Sequence, residues 1–336
     1  MTLRMAIVGS GIEVGARRVT NEELADRIDS SDDWIRRRTG IVARHFVEAG
    51  QSNTDMALVA TEKALAEAGW EPEDLDAIIF ATLSPDVAFP GTGVLLQDAL
   101  GVAPIPALDV RNQCSGFLYG LSVANGWLRS GMYERVLLVG SEIHSTGLNF
   151  TPDGRDVAVL FGDGAGAVLL EAVETSDTPP KPGQILDISL GADGSGADLL
   201  MCERPGSQFH PRISDADIEA GRQFPTMNGR QVFRRAVEIL SREVEAAMTR
   251  TGVEADRVVL IPHQSNRRIN EMVAERVGLA ADRVVHTIEE WGNTTAASIP
   301  MALDTARRTN RLNPGDVAIM VAFGSGLTWG TAVVGY

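Results

Sequence analysis

Asp109-Val110-Arg111-Asn112-Gln113-Cys114-Ser115-Gly116-Phe117-Leu118-Tyr119-Gly120 sets one cysteine between an apolar strand and a helix. Upstream, Pro104-Ile105-Pro106-Ala107-Leu108-Asp109-Val110 is a short apolar run of strand type. From Ser115 to Arg129, apolar residues recur at helical spacing through Phe117, Leu118, Leu121, Ala124 and Leu128. Cys114 therefore falls at or just before a helix N-terminus. Unpaired backbone N–H groups and the positive end of the helix dipole there favour thiolate over thiol and offer donors to an oxyanion. On this reading Cys114 is the nucleophile of an acyl-transfer enzyme. A cysteine taken alone is more often a buried small hydrophobe, so the rest of the chain has to decide.

The bulk properties narrow the field. A chain of 336 residues with 44% apolar content has room for two domains or one large two-lobed domain around a sizeable core. No apolar run reaches the ~18 to 20 residues that span a bilayer, and Met1-Thr2-Leu3-Arg4-Met5 leads directly into a strand-like segment without signal-peptide architecture. A cytoplasmic location is expected, with no membrane partner. The net charge of −15 argues against nucleic acid and anionic lipid as general partners, so an acidic partner must find a local basic patch. The two cysteines, Cys114 and Cys202, have no metal-ligand spacing and are too few for a disulfide framework. No metal site is expected.

Three stretches before the linker invite a functional reading. Met5 to Gly15 resembles a strand followed by a glycine-rich dinucleotide turn, but the third glycine comes one residue late and the next helix start is the capping pattern Thr20-Asn21-Glu22-Glu23. Asp29-Ser30-Ser31-Asp32-Asp33-Trp34-Ile35-Arg36-Arg37-Arg38 sets an aromatic beside three arginines. This is either a solvated face or a place where Trp34 stacks an adenine and Arg38 meets a phosphate. Phe161-Gly162-Asp163-Gly164-Ala165-Gly166 lacks the Lys-Ser/Thr ending of a phosphate loop and reads as tight backbone packing. The proline-rich segment 174–184 is the clearest linker and divides a half at 1–174 from a half at 185–336. Residues 201–228 are polar, irregular and long for a simple connection, as expected of a segment that folds over something.

The two halves repeat one order of elements. In the first, a helix over about 54–69 precedes strand 75–82; a helix ending at Gly101, strand 105–110, the Cys114 helix and strand 134–140 follow. In the second, strand 257–262 leads to His263, a helix ending near Gly278, strand 283–288, the helix entered by Trp291-Gly292-Asn293-Thr294-Thr295, and strand 316–323. Gly324-Ser325-Gly326-Leu327-Thr328-Trp329 then echoes the glycine turn at 161–166. Cys114 lies 13 residues after Gly101 and Asn293 15 residues after Gly278, which sets each at the same strand-to-helix corner of its half. His263 ends another strand. Functional groups gather beyond the carboxyl ends of parallel strands, so two halves packed about a pseudo-twofold axis bring all three into one cleft. Singly, His263 reads as a structural histidine and Asn293 as a helix cap; their coincidence with Cys114 outweighs that.

Cys114 in Gln-Cys-Ser-Gly-Phe, His263 in Pro-His-Gln-Ser-Asn-Arg-Arg and Asn293 in Trp-Gly-Asn-Thr-Thr-Ala-Ala-Ser closely resemble the Cys-His-Asn set of ketoacyl-ACP synthase III enzymes. The resemblance runs from Asp33-Trp34 to the closing Gly-Leu-Thr-Trp-Gly. It implies an α/β thiolase-like fold of two pseudo-repeated halves in α-β-α-β-α layers, a homodimer, and chain initiation by condensing an acyl-CoA with malonyl-ACP. It also implies that Ser30, Trp34, Arg38, Arg155 and Arg268 line the CoA site, and that the oxyanion donors are the N–H groups of Cys114 and of the turn around Ser325. Carrier-protein contacts are expected at Arg234, Gln264, Arg267, Arg268 and Arg276, with Arg235 beside them, and acyl-pocket positions at Phe89 and Leu327. No cofactor is implied, since the CoA thioester and malonyl-ACP are both substrates.

The sequence departs from the usual family pattern in three places. Residues 201–228 are longer, Leu327 stands where an aromatic is frequent, and Gln113 precedes Cys114 where a small residue is frequent. These departures predict a primer other than acetyl, medium-chain or branched. Two other readings keep the fold: acyl transfer from Cys114 to an alcohol or amine without decarboxylation, and a non-catalytic scaffold subunit. Intact His263 and Asn293 favour condensation.

Overall fold

Ala77-Ile78-Ile79-Phe80-Ala81 is buried at every position, which requires cover on both faces of the strand. In the computed structural model, which describes residues 2–175 and 181–336, that cover comes from two helical layers, one on each face. The strands are β1 (Thr2–Val14), β2 (Arg17–Thr20), β3 (Ala43–Phe46), β4 (Ala77–Ala81), β5 (Ala107–Val110), β6 (Arg135–Glu142) and β7 (Gly164–Thr175) in the first half. The second half has β8 (Gln184–Ala192), β9 (Leu200–Met201), β10 (Thr226–Met227), β11 (Val258–Pro262), β12 (Val317–Gly324) and β13 (Thr328–Gly335). Nine of them form one sheet in the order β11-β12-β13-β8-β1-β7-β6-β4-β5. Read outward from the β1–β8 junction, β7, β6 and β4 on one side match β13, β12 and β11 on the other. Within the sheet the two halves are joined by the ladder pair Ala6–Gln184.

Alternation along the strands assigns the layers. Ile78 and Phe80 pack outward on helices Asn53–Ala68 and Thr92–Ala99, while Ala77 and Ile79 face inward. In the second half Val258 and Leu260 pack outward on helices Gly229–Thr251 and Arg267–Arg276, and Val259 and Ile261 face inward. Both inward faces close on the same two helices, Gly116–Arg129 and Ser298–Arg308, through Phe117, Leu121, Ala124, Ile299, Leu303 and Ala306. The layers therefore run α-β-α-β-α. Both active-site corners open onto the ends of this central helix pair. A smaller core of Val19, Ile28, Ile35, Phe46, Val157 and Phe161 props a module of residues 17–46 and 145–161 against them.

Several local expectations change. Met5 to Gly15 holds no loop: β1 runs to Val14, and a Cβ on Gly11 would meet the Ala60 carbonyl at 2.3 Å, so its glycine serves close packing of helix Asn53–Ala68 on the strand. Strand 283–288 does not form. One bridge, Leu260 to Val284, is followed by Ile288–Trp291 in helix, because the Gln264 side-chain oxygen takes the N–H groups of Thr287 (2.9 Å) and Ile288 (3.2 Å) out of any ladder. The middle of the proline-rich 174–184 boundary, residues 176–180, lies outside the described residues. No helix among the described residues is long and apolar enough to cross a membrane.

Candidate active site

After β5 the chain makes one 3-10 turn, Gln113–Ser115, that runs into helix Gly116–Arg129. Gln113 sits at φ 44°, a left-handed conformation uncommon for a residue with a side chain. At this reversal Cys114 packs against the end of β12. A Cβ on Gly324 would lie 2.7 Å from Cys114 Cβ and 3.1 Å from its sulfur, so only glycine lets the two chains approach. The backbone N–H groups of Cys114 and Ser325 are both aimed at the sulfur. They are the two N–H groups to which the resemblance gives the oxyanion.

The expected easy ionisation of Cys114 does not hold. Burial, reinforced by the negative charge of Glu142, pushes the thiol up to about 12, against the lowering effect of the two N–H groups. A helix terminus stabilises charge by a fraction of what full desolvation costs. The group is therefore a thiol at rest.

His263 follows the last residue of β11 and is 2% exposed. Its Nδ1 lies 2.6 Å from the Ser298 hydroxyl at the start of the second central helix, while Nε2 is buried with no partner among the described residues. Burial, with a smaller contribution from His144, lowers its pKa to about 3, so the ring is neutral. Ser298 Oγ accepts from Gln264 N–H at 3.4 Å, which leaves its hydrogen to go to Nδ1; in that tautomer the proton is on Nε2. Asn293 is fixed by its backbone: its N–H donates to the Leu160 carbonyl (2.8 Å) and its carbonyl accepts from Gly162 N–H (3.0 Å). Its Oδ1 accepts from Thr295 N–H at 2.9 Å, which leaves Nδ2 without an acceptor among the described residues. Two neutral N–H donors thus line the same cavity as the Cys114 sulfur.

The repeat places Asn293 differently from the spacing argument. Gln113 and Thr295 both sit at φ 44° and both open a three-residue 3-10 turn before a central helix. The position matching Cys114 is therefore Ala296, and Asn293 stands three residues earlier. The glycine turn at 161–164 is the element that holds it there, through the Phe161–Asn293 bridge.

Cys114, His263 and Asn293 line one cavity of about 1320 Å³. Its outer wall carries Trp34, Arg38, Arg230 and Arg268, and its inner wall the half-buried Leu83 and Ile143 with the buried His144, Leu160, Phe323 and Leu327. Segment 201–228 folds over it, contributing Met201, Cys202, Arg204, Pro205, Gln223, Pro225 and Met227. Trp34 lies between two guanidinium groups, Arg38 at 5.0 Å and Arg155 at 5.1 Å from its ring, within cation–π range. Arg38, Arg230 and Arg268 are exposed and pair with no carboxylate among the described residues, so they give the mouth a positive rim on an acidic chain; Arg234 is exposed too but does not line the cavity.

Other expected positions fall elsewhere. Ser30 does not line the cavity, and its hydroxyl is buried without a partner among the described residues. Gln264 is 1% exposed and fully engaged with Pro262, Val285, Thr287 and Ile288, so it cannot touch a carrier protein. Arg267 spends its charge on Glu271 and Glu289, and Arg276 faces a shallow groove with Glu245 and Met248 away from the mouth. Phe89 is 84% exposed and off the cavity of its own chain, whereas Leu327 is buried within it. Ser298, which closes the quoted Asn293 motif, was legible as a partner only once the fold was known. Thr295 lies inside that motif without a role of its own, Glu142 is the last residue of β6 and His144 lies just past it.

Mirrored half-sheets closing on two central helices make the thiolase fold, and the cleft sets this chain among its cysteine-bearing members. Residues 108–194 match the family description 3-oxoacyl-[acyl-carrier-protein (ACP)] synthase III, and residues 248–336 its C-terminal counterpart. A beta-ketoacyl-[acyl-carrier-protein] synthase III 3 of Streptomyces coelicolor is 43% identical over 99% of this chain and 98% of its own. Among solved structures, 3-oxoacyl-[acyl-carrier-protein] synthase III of Aquifex aeolicus superposes with a TM-score of 0.87 at 35% identity, over 99% of this chain and 100% of its own. The priming beta-ketosynthase of the R1128 polyketide pathway superposes at 0.89 with 31% identity, over 99% and 96%. The chain belongs to the 3-oxoacyl-[acyl-carrier-protein] synthase III family.

Proposed function

We propose that this protein initiates fatty-acid or polyketide chains by condensing a CoA-linked acyl primer with malonyl-ACP through an acyl-Cys114 intermediate. The observation that carries this is the meeting, in one cavity, of a sulfur faced by two backbone N–H groups with two neutral side-chain donors. Cys114 sulfur attacks the primer's thioester carbonyl, its proton passes to the departing CoA sulfur, and the N–H groups of Cys114 and Ser325 hold the oxyanion. Malonyl-ACP then enters. Loss of CO2 leaves an enolate whose oxygen accepts from His263 Nε2–H and Asn293 Nδ2–H; its carbon attacks the acyl group, and the expelled Cys114 thiolate takes one proton from solvent to return to the thiol. An imidazole held neutral by burial suits this step, because it donates without first requiring protonation. The steps balance with two thioesters and need no further cofactor.

Trp34, Arg38, Arg155 and Arg268 are assigned to the nucleotide and phosphates of CoA, and Arg268 with Arg234 to the acidic carrier. The cavity volume and its cover by 201–228 support a primer larger than acetyl, medium-chain or branched. We place the reaction in the cytoplasm, where both thioesters are made. A homodimer is supported by apolar side chains left exposed around the edge strand β5: Val87, Phe89, Val94 and Leu108. Incubating the protein with a panel of acyl-CoAs and malonyl-ACP and weighing the products tests the reading. Condensed products one C2 unit longer, released with CO2, are expected; strict preference for acetyl-CoA would contradict the primer class, and transfer without CO2 release the reaction itself.

A further inference from the structure

Glu142 ends β6 fully buried, beside the site and outside the chemistry above. Its carboxyl oxygens accept from Leu83 N–H (3.1 and 3.2 Å), Ser84 N–H (3.2 Å), the Thr82 hydroxyl (3.1 Å) and the Ser84 hydroxyl. The Thr295 hydroxyl faces the same carboxyl and lies 2.8 Å from His144 Nε2. Thr295 is the strained residue whose N–H holds Asn293 Oδ1. A buried acid surrounded by donors from two loops is a clamp.

We propose that Glu142 is a positioning residue: its carboxylate anchors the Thr82–Ser84 turn and Thr295, so that Asn293 Nδ2 is aimed at the enolate. The inference rests on the condensation reading above. Burial raises Glu142 to about 7, against the lowering by its Ser84, Leu83, Thr295 and Thr82 donors. The carboxylate and its charge therefore strengthen as pH rises through neutrality. The other titratable groups around it are Cys114, His144 and His263, both imidazoles lowered to about 3 by burial, and Asp163, which is held by His144 N–H and the Ser145 and Val47 donors. Asp86, in the same loop as Ser84, is engaged by Asn53 and Thr54.

The test compares Glu142→Gln, Glu142→Asp and Thr295→Val with the wild type in two measurements, acylation of Cys114 by acyl-CoA and CO2 release from malonyl-ACP, each followed across neutral pH. For Glu142→Gln the ratio of CO2 release to acylation is expected to fall about tenfold, less than loss of a direct donor, and to lose the rise through neutrality that the wild type shows. Glu142→Asp, which keeps the charge but shortens the clamp, and Thr295→Val, which removes the hydroxyl facing the carboxyl, are expected to lower the ratio as well; they also serve if the Gln variant does not fold. Equal loss of both partial reactions in every variant, with the pH profile of the ratio unchanged, would show a merely structural residue and overturn the inference. A wild type that forms no acyl-Cys114 would overturn the function reading instead.

Discussion

The Cys114 thiol, pushed up to about 12 by burial and by Glu142, has to lose its proton in the same encounter in which sulfur meets the thioester carbonyl. This separates it from a free cysteine, which ionises near pH 8.5. In a Cys202→Ser background, which removes the exposed second thiol, alkylation of Cys114 is expected to rise about tenfold per pH unit from pH 8 through pH 10 without levelling. A plateau near neutral pH would show a preformed thiolate and contradict the site electrostatics. The location of the nucleophile was legible from the strand-to-helix switch around it. Its ionisation was not, because the opposing effects come from residues distant in sequence: the walls that bury it and the charge on Glu142.

At the scale of elements, helices with explicit caps were readable. Thr20 caps helix Asn21–Ile28 through Glu23 N–H, and Ser52 and Gly69 bound the helix Asn53–Ala68 as side-chain cap and left-handed terminus. Strand 283–288 was misread because Val284 and Val285 carry strand-type residues, yet a side chain from another loop, Gln264, captures the next two N–H groups. The same bond set removes Gln264 from the carrier surface. Gln264→Ala is accordingly expected to strand two buried donors and cost about 2 to 4 kcal/mol of stability, read as a lower midpoint in denaturant, with the KM for malonyl-ACP within about twofold of wild type. Arg268→Glu is expected to do the reverse, leaving the midpoint within ~0.5 kcal/mol and raising that KM. A raised KM in Gln264→Ala at unchanged stability would restore it to the docking surface.

For the whole molecule, the duplicated order of elements carried the fold: a sheet that reads the same outward from β1 and from β8 was implied by two matching series of strands and helices. The cavity was less legible, since its walls come from residues as far apart as Trp34, Gln223 and Leu327. Phe89, an expected pocket residue, instead stands 84% exposed next to the β5 edge, where the proposed dimer would cover it. Phe89→Asp is expected to shift the protein from dimer to monomer by light scattering at micromolar concentration, because a carboxylate cannot be desolvated unpaired in an apolar interface. A wild-type monomer at that concentration would remove the dimer from the account.

The central claim divides labour between Cys114, which takes the primer, and the His263–Asn293 pair, which holds the enolate. Acyl-Cys114 formation by intact mass and CO2 release from malonyl-ACP, recorded together in wild type, His263→Ala and Asn293→Ala, test it most directly. Wild type should show both activities, and each variant should keep the adduct while CO2 release falls by about 10²- to 10³-fold, the usual loss for one enolate or oxyanion donor. Adduct formation abolished in the variants with CO2 release intact would contradict the claim.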